Sequence, residues 1–157
     1  MPSRTVIVIY GEGGHKAQMD RVCQGLALKE KNVIEVSDSE KFLNINSYGY
    51  IFSSHRDKYK NSSIKTISSL CYNFFRAGCL ILKYRPCAII STGPSICIPF
   101  YVWGKLLKTK SIYIETWSRF YTRSITAKLA YYIVDHFYYQ NEKQASLYPK
   151  GNYSGRL

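Results

Sequence analysis

Short apolar runs alternate along the chain with longer segments in which apolar residues recur every three or four positions. The first run, Thr5–Tyr10, is continuous and rich in β-branched residues, which is typical of a strand buried on both faces. A glycine-rich loop follows, and then a helix whose apolar face is predicted by the spacing of Met19, Val22, Cys23 and Leu26. The chain therefore opens with a strand, a loop and a helix.

The same alternation continues to the end of the chain. Further strands are predicted at residues 32–37, 50–54, 87–92, 111–115 and 136–140. Between the later strands lie a basic, polar loop at 56–63, a long helix that Pro86 ends, an apolar segment at 96–107 and a helix at 123–132. Strands that alternate with helices and read as unbroken apolar runs predict an α/β fold with a Rossmann-like, doubly wound, mostly parallel sheet.

Length and charge narrow the possible functions. With 157 residues, 46% of them hydrophobic, the chain can build one domain with a buried core and has no room for a second. The formal net charge of +12 indicates an anionic partner, which can be a nucleic acid, a phosphorylated substrate or an acidic membrane surface. The aromatic content of 15% fits a face that meets lipid headgroups and fits an aromatic core equally well.

The five cysteines are odd in number, form no CxxC pair and lie in apolar runs, so they predict reduced, buried thiols in a cytoplasmic protein. No metal site, disulfide framework or cofactor is expected. No signal peptide is visible, and the apolar stretches 70–82 and 96–107 are too short to cross a bilayer. We therefore expect any membrane contact to be peripheral.

In a parallel sheet, ligands bind beyond the carboxyl ends of the strands, which selects three loops with the sequences GEGGH, STGPS and ETWSR. In the first loop, Gly11, Gly13 and Gly14 allow a sharp turn into a helix start that favours a phosphate or diphosphate, or they form a tight turn without a ligand. His15 at the helix entrance is a candidate hydrogen-bond donor, acid or base, or a structural histidine.

The other two loops offer hydroxyl, carboxylate and cationic groups. Thr92, Gly93 and Ser95 can contact a sugar or phosphate, or cap a helix. Glu115, at the end of a predicted strand, is a candidate general base, or it holds an arginine or a partner's backbone. The remaining candidates are a flat wall for a sugar ring or lipid stem at Trp117, and a phosphate clamp formed by Arg119 and Arg123.

Four motifs occur in a fixed order over nearly the whole chain: GEGGH, STGPSICIP, YIETWSR and YPKGNYSGRL. This set resembles the acceptor-side subunit of split UDP-sugar transferases, whose eukaryotic member helps add the second N-acetylglucosamine to dolichol-linked oligosaccharide. The bacterial counterparts are the PssD and CpsF type proteins of capsular and exopolysaccharide synthesis. In the related MurG type of GT-B transferase, both halves lie on one chain.

The resemblance implies the N-terminal half of a GT-B enzyme, with an acceptor-binding domain over residues 1–147 and a tail over 148–157 that docks a donor-binding subunit of the PssE or CpsG type. The tail residues expected at that partner are Tyr148, Pro149, Tyr153, Gly155, Arg156 and Leu157. The complex would transfer a sugar from a UDP-sugar, bound mainly by the partner, to a lipid-diphosphate-linked saccharide without a metal ion. Glu115 and His15 are the candidate catalytic residues.

The resemblance also implies recruitment of the partner to the inner face of the plasma membrane. The eukaryotic members carry an N-terminal membrane anchor, and this sequence starts at its first strand. Membrane contact is therefore expected from basic and aromatic faces of the segments 62–84 and 96–110.

Three rival functions remain. The chain can be a non-catalytic scaffold that only stabilises and localises its partner. The glycine loop and Asp38 favour a nucleotide-dependent oxidoreductase weakly, although Lys16 stands where the GxGxxG fingerprint needs a glycine. Charge alone suggests a nucleic-acid binder, but no nucleic-acid-binding module is recognisable, so no nucleic-acid partner is expected.

Overall fold

A computed structural model describes residues 5–28, 32–43, 45, 48–52 and 63–157, with side chains of the longest helix from residue 68 onward. The strands are β1 (Val6–Tyr10), β2 (Val33–Ser37), β3 (Tyr48–Ile51), β4 (Ala88–Ser91), β5 (Lys110–Ile114), β6 (His136–Tyr139) and β7 (Asn152–Tyr153). The helices are α1 (Gly14–Gly25), α2 (Ser63–Tyr84), α3 (Cys97–Leu106) and α4 (Ile125–Ile133).

The seven strands form one sheet in the order β3-β2-β1-β4-β5-β6-β7, and every neighbouring pair is parallel. The chain enters at β1, moves outward to β3 and then crosses back to place β4 on the other side of β1. This reversal between β1 and β4 is the topological switch point at which α/β sheets bind ligands. The predicted Rossmann-like, doubly wound α/β fold is confirmed.

Both faces of the sheet are covered. One core cluster joins α2, α3 and α4 to the sheet, and its fully buried members include Ile9, Ala77, Phe100 and Ala130. The other joins α1 to the opposite face around Val8, Met19 and Cys23. All five residues of β1 are buried, because this strand is central and packed on both sides.

Some local features differ from what the sequence predicts. The third strand starts at Tyr48, two residues before the predicted start, while residues 53–54 and 56–62 of the predicted strand and loop lie outside the described residues. The strand β7 was not predicted, since two residues are too few to show a period. Leu26 is 53% exposed because α1 ends at Gly25, so the predicted apolar face of this helix is one residue too long.

The prediction of five buried thiols is wrong for three of them. Cys23 and Cys97 are buried, whereas Cys71, Cys79 and Cys87 are exposed. Cys71 and Cys79 lie on α2, where apolar side chains occur on the outer face as well as the inner one. An apolar neighbourhood in sequence therefore did not guarantee burial here.

No helix within the described ranges is both long and apolar enough to span a bilayer. In the same part of the chain, no group of three or more His, Cys, Asp or Glu side chains is placed to hold a metal ion.

Candidate functional site

The three loops selected from the sequence follow β1, β4 and β5, which are neighbours in a parallel sheet. The carboxyl ends of these strands therefore meet at one edge, which we call the loop edge. Hydrogen bonds across the switch point hold the loops together. The hydroxyl of Thr92 donates to the carbonyl of His15 at 2.9 Å, and the backbone N–H of Thr92 donates to the carbonyl of Ile9 at 3.2 Å.

The first loop turns directly into α1. Gly13 has a φ of 66°, a backbone conformation that favours glycine, and it occupies the N-cap position of the helix. No side chain caps this end, and the first turn contains no acidic residue. The first N–H groups of α1 therefore face the loop edge with the partial positive charge of a helix start, which is the arrangement that binds a phosphate.

His15 is fixed by the second loop. Its Nδ1 lies 2.5 Å from the carbonyl oxygen of Thr92. Since a carbonyl can only accept, Nδ1 carries the proton, and Nε2 of the neutral ring keeps its lone pair. Burial lowers the pKa of the His15 imidazole, although the bond to Thr92 and the nearby Asp38 carboxylate act in the opposite direction. The ring is therefore neutral at neutral pH, with Nε2 available as a proton acceptor.

Gly93 makes room for this histidine. A Cβ at Gly93 would lie 3.0 Å from His15 Cε1 and 3.3 Å from the Tyr113 hydroxyl, and the residue has a φ of 116°. Of the other candidates in this loop, Ser95 is half-buried and does not cap α3, whose N-cap is Ile96 without a side-chain bond. The predicted capping role of this loop is therefore not seen.

Asp38 follows β2 and packs against the first loop. A Cβ at Gly11 would lie 3.3 Å from both of its carboxylate oxygens, so Gly11 permits this close approach. Burial raises the pKa of the Asp38 carboxyl, against a hydrogen bond from the backbone of Glu12. Its Oδ1 is buried and has no hydrogen-bond partner among the described residues. The carboxylate thus supports the glycine loop and lies near His15.

Glu115 lies just beyond β5 and is completely buried. Its Oε1 accepts the backbone N–H of Thr116 at 3.0 Å, and its Oε2 accepts the hydroxyl of Tyr148 at 2.7 Å. Burial raises the pKa of the Glu115 carboxyl, and these two bonds and Arg119 oppose that rise. In this structure the carboxylate ties the third loop to the start of the tail.

The remaining residues of the third loop reach the surface. Trp117 is half-buried, and its Nε1 lies 3.9 Å from the place that a Cβ of Gly14 would occupy, so the indole borders the glycine loop. Arg119 is exposed, and its Nη1 donates to the Thr122 hydroxyl at 3.2 Å. The guanidinium of Arg123 lies over the ring of Tyr148, 5.3 Å from its centroid.

The predicted tail divides into a buried start and a surface strand. Tyr148 is fully buried in the core cluster beside α4. Beyond it, β7 adds to the sheet edge, and the N–H of Ser154 donates to the carbonyl of Tyr139 at 3.0 Å. The exposed tail residues from the predicted partner set are Pro149, Tyr153 and Arg156, and the half-buried ones are Gly155 and Leu157.

Two polar residues near the site were missed by sequence reasoning. Glu35 is buried inside β2, where it accepts the Tyr10 hydroxyl and the backbone N–H groups of Leu43 at 2.7 Å and Ile45 at 3.0 Å. Glu35 could have been identified from the sequence, because it is a single acidic residue inside the apolar run VIEVS. Gln140 links the Glu115 carbonyl to the backbone N–H of Leu157, at 2.9 Å each, and no sequence signal marks it.

The profile of the family described as "Oligosaccharide biosynthesis protein Alg14 like" matches residues 6–157. The chain belongs to this family. Among Alg14 relatives, the UDP-N-acetylglucosamine transferase subunit ALG14 of Candida albicans is 27% identical over 168 residues, which cover 96% of this chain and 76% of the relative. The human subunit of the same name is 25% identical over 180 residues, which cover 99% and 83%.

Solved structures agree with the fold of this Alg14-like chain. MurG of Acinetobacter baumannii superposes with a TM-score of 0.66 at 13% identity over 88% of the chain. A UDP-GlcNAc 2-epimerase of Methanocaldococcus jannaschii gives a TM-score of 0.62 at 13% identity over 90%. The Alg14-like chain spans 41% of the length of each of these structures. The match to MurG confirms the predicted MurG-like, GT-B N-terminal fold.

Proposed function

We propose that this chain is the acceptor-binding subunit of a two-chain glycosyltransferase, which moves a sugar from a UDP-sugar to a lipid-diphosphate-linked saccharide. The observation that carries the proposal is the bond between His15 and Thr92 at the switch point, which places a neutral imidazole beside an uncapped helix start. One loop edge thus offers a proton acceptor for a sugar hydroxyl and an anion site for a diphosphate. The family membership and the names of the relatives support the same function.

His15 is our first candidate for the base. Nε2 of the neutral ring can take the proton of the attacking acceptor hydroxyl, while the bond from Nδ1 to Thr92 holds the ring in place. The diphosphate of the acceptor would bind the N–H groups at the start of α1, with Arg119 exposed nearby at the same edge. The hydroxyl of the half-buried Ser95 is the neighbouring group for a sugar, whereas the Thr92 hydroxyl is buried and already bonded to the carbonyl of His15.

Glu115 is the second candidate. Its raised pKa suits a base, but its complete burial and two accepted hydrogen bonds favour a supporting role for the third loop. Because a completely buried Glu115 is suited to holding the loop in place, its burial also favours a second candidate function, in which the chain is a non-catalytic scaffold for its partner. Replacement of His15 separates the two functions, because a scaffold keeps turnover and a base does not.

A separate donor-binding subunit completes the cleft in this proposal. A GT-B site lies between two Rossmann-like halves, and this chain corresponds to one of them by its superposition on MurG. Residues 1–147 form the acceptor wall, and the tail 148–157 docks the partner through its exposed residues Pro149, Tyr153 and Arg156. Tyr148 anchors the tail from inside the core. The partner, of the PssE or CpsG type, binds most of the UDP-sugar.

The membrane contact that we propose uses exposed apolar side chains near the loop edge. A helix that connects parallel strands runs opposite to them, so α2 begins at the loop edge and ends at the other edge. Tyr72 and Phe75, which are 59% and 69% exposed, lie nearer the loop edge than Leu82 does. With the charge of +12, this face can bring a lipid-linked acceptor from an anionic inner leaflet of the plasma membrane to the glycine loop.

The sugar and the biological setting complete the proposal. The relatives are named for UDP-N-acetylglucosamine, which makes N-acetylglucosamine the first donor to test. A PssD or CpsF type role in capsular or exopolysaccharide synthesis would instead use a hexose such as galactose on an undecaprenyl diphosphate carrier. A panel of UDP-sugars distinguishes these settings.

The decisive experiment is to co-purify this chain with a candidate donor subunit and to assay the pair with UDP-sugars and a lipid-linked acceptor. We expect transfer by the pair and none by either chain alone. The matched variants are His15→Asn, whose amide can replace Nδ1 as a donor to Thr92 but supplies no base, and His136→Asn at the other edge of the sheet. Rapid transfer by the purified chain alone, or full turnover by the His15→Asn pair, would contradict the proposal.

A further inference from the structure

Two arginines from distant parts of the chain lie against the indole of Trp117. The guanidinium of Arg21 on α1 lies 4.9 Å from the ring centroid, and that of Arg156 in the tail lies 5.8 Å from it. We call these three side chains the clasp. Cation–π contact of this kind holds a planar guanidinium against the ring and leaves its N–H donors directed outward in its own plane.

Backbone contacts of the tail hold the clasp in place. Nη1 of Arg21 donates to the carbonyl of Leu157 at 2.5 Å, and the N–H of Leu157 donates to Gln140 Oε1 at 2.9 Å. Gln140 in turn donates to the carbonyl of Glu115 at 2.9 Å, immediately before the loop that carries Trp117. The position of Arg156 therefore depends on the tail being seated on the sheet edge.

The clasp borders the start of α1. Gly14, Gln18 and Arg21 are spaced by four and three residues, so they share one face of this helix. Trp117 meets both ends of that face, since its indole lies beside Gly14 and under Arg21. Between them Gln18 is fully buried, and neither polar atom of its side chain has a hydrogen-bond partner among the described residues. Trp117 thus brings the two guanidiniums toward the start of α1, whose first N–H groups have no side-chain cap.

Charge is distributed unevenly along this edge. The carboxylate of Asp38 lies next to Gly11, with Glu12 of the glycine loop close to it, whereas the two guanidiniums of the clasp lie against Trp117. Arg156 is exposed and forms no salt bridge within the part of the chain that the structure describes. An anion is therefore attracted to the clasp and repelled from the Asp38 carboxylate.

We propose that Arg156 binds the diphosphate of the ligand at the glycine loop, in a position set by the clasp with Arg21 and Trp117. The inference rests on the proposed function for the identity of the ligand, and it makes the tail a part of the site. A partner that docks on the exposed tail would then fix Arg156 and complete the anion site. The same chemistry would recognise the diphosphate of the lipid-linked acceptor or that of the UDP-sugar.

The direct test measures the binding of inorganic pyrophosphate to the purified full-length chain by titration calorimetry. We expect Arg156→Ala to weaken binding about tenfold, as the loss of a charge-assisted hydrogen bond does. Arg156→Lys keeps the positive charge but loses the planar guanidinium with its paired N–H donors, so we expect a loss of pyrophosphate affinity smaller than that of Arg156→Ala. The control is Lys150→Ala, which removes the same charge from another exposed residue of the tail and should leave binding unchanged.

Fluorescence tests the clasp itself. The chain has two tryptophans, so Trp103→Phe leaves Trp117 as the sole reporter. In this background pyrophosphate should change the Trp117 emission, and Arg21→Ala should make the indole more accessible to acrylamide. Circular dichroism checks that each variant is folded. Equal weakening by Arg156→Ala and Lys150→Ala, or no pyrophosphate binding by the wild type at millimolar concentration, overturns the inference.

Kinetics of the reconstituted pair separate the two possible ligands. If the acceptor diphosphate binds here, Arg156→Ala raises KM for the lipid-linked acceptor and leaves KM for the UDP-sugar unchanged. If the diphosphate of the UDP-sugar binds here instead, Arg156→Ala raises KM for the UDP-sugar and leaves KM for the acceptor unchanged. Transfer by the pair with no difference between Arg156→Ala and Lys150→Ala refutes only this inference. If pyrophosphate binding depends on Arg156 but the reconstituted pair transfers no sugar, only the proposed function is refuted.

Discussion

The hydroxyl of Tyr148 donates a 2.7 Å hydrogen bond to Oε2 of Glu115, and both residues are completely buried. The bond joins positions 33 residues apart, namely the end of β5 and the start of the tail. A buried carboxylate is unfavourable unless its oxygens accept hydrogen bonds, so Tyr148 compensates for the burial of Glu115. The same bond sets the point from which the tail runs back along the sheet.

Removal of the Tyr148 hydroxyl should destabilise the protein. In Tyr148→Phe, Oε2 of Glu115 loses a donor in a buried place, so we expect the free energy of unfolding at pH 7 to fall by about 1–3 kcal/mol. Urea denaturation measures this change. The control is Tyr153→Phe, since Tyr153 is 49% exposed on β7, and its stability should stay near that of the wild type. Equal stability of Tyr148→Phe and wild type would show that the bond contributes nothing.

Replacement of Glu115 by Gln tests its chemistry without removing its contacts. The introduced amide can accept from Thr116 and donate to the Tyr148 hydroxyl, so the fold should be retained. If Glu115 is the base, turnover of the reconstituted pair falls at least about tenfold. If it supports the loop, turnover stays within about twofold while Glu115→Ala lowers the thermal midpoint. Glu142→Gln, on an exposed turn, is the control for the loss of charge.

The pH dependence of stability should report the burial of His15. Its pKa is lowered in the folded chain, so the unfolded chain binds more protons at pH values just below the ordinary imidazole pKa of about 6.5. Stability therefore falls as the pH drops through that window and is fully present above it. His15→Asn should reduce this slope in urea denaturation between pH 5 and pH 7. Identical slopes for His15→Asn and wild type would contradict the prediction.

Gly93→Ala should disturb the site from within. The methyl group would lie 3.0 Å from His15 Cε1, at a residue whose φ is 116°, so we expect a loss of stability of about 1–3 kcal/mol and a displaced imidazole. Thermal denaturation and turnover of the pair should both fall. Gly25→Ala is the matched control, because it lies at the end of α1 with nothing within 4 Å of its Cβ position. If Gly93→Ala is as stable as the wild type, the loop can move to accommodate the added methyl group.

Membrane binding should depend on the outer face of α2. Phe75→Asp replaces a side chain that is 69% exposed, so folding should be unaffected while affinity for vesicles containing phosphatidylglycerol falls about tenfold or more. Vesicle co-sedimentation measures this change. Leu106→Asp, 66% exposed at the end of α3 and thus at the edge away from the loops, should bind like wild type. Equal losses of vesicle affinity in both variants would mean that membrane binding does not depend on the outer face of α2 in particular.

The sheet was predictable because its strands carry their signal locally. The runs that became β1, β2, β4, β5 and β6 are rich in β-branched or aromatic residues, and each is bounded by glycine, proline or polar residues. The loops of the site were predictable for a related reason, since the rule for parallel sheets depends only on the order of strands. Family resemblance added the MurG-like half fold, which the superposition confirms.

Other features depended on contacts that no local pattern encodes. The strand β7 exists because residues 152–153 pair with Tyr138 and Tyr139, and its own sequence is too short to show a period. The exposed positions of Cys71 and Cys79 follow from the direction in which α2 meets its neighbours. The bond from Tyr148 to Glu115 spans 33 residues, so a sequence pattern could suggest either residue but not the pair.

By itself, the sequence determined the order of most strands and helices, the edge of the sheet where the three candidate loops meet and the residue types available there, because period, turn chemistry and charge are local properties. Only the tertiary structure decided how those residues are used. It joined His15 to Thr92, buried Glu115 against Tyr148 and brought Arg21 and Arg156 against Trp117. The reason is physical: hydrogen bonds and ring contacts between distant residues exist only after the sheet has placed their backbones within reach.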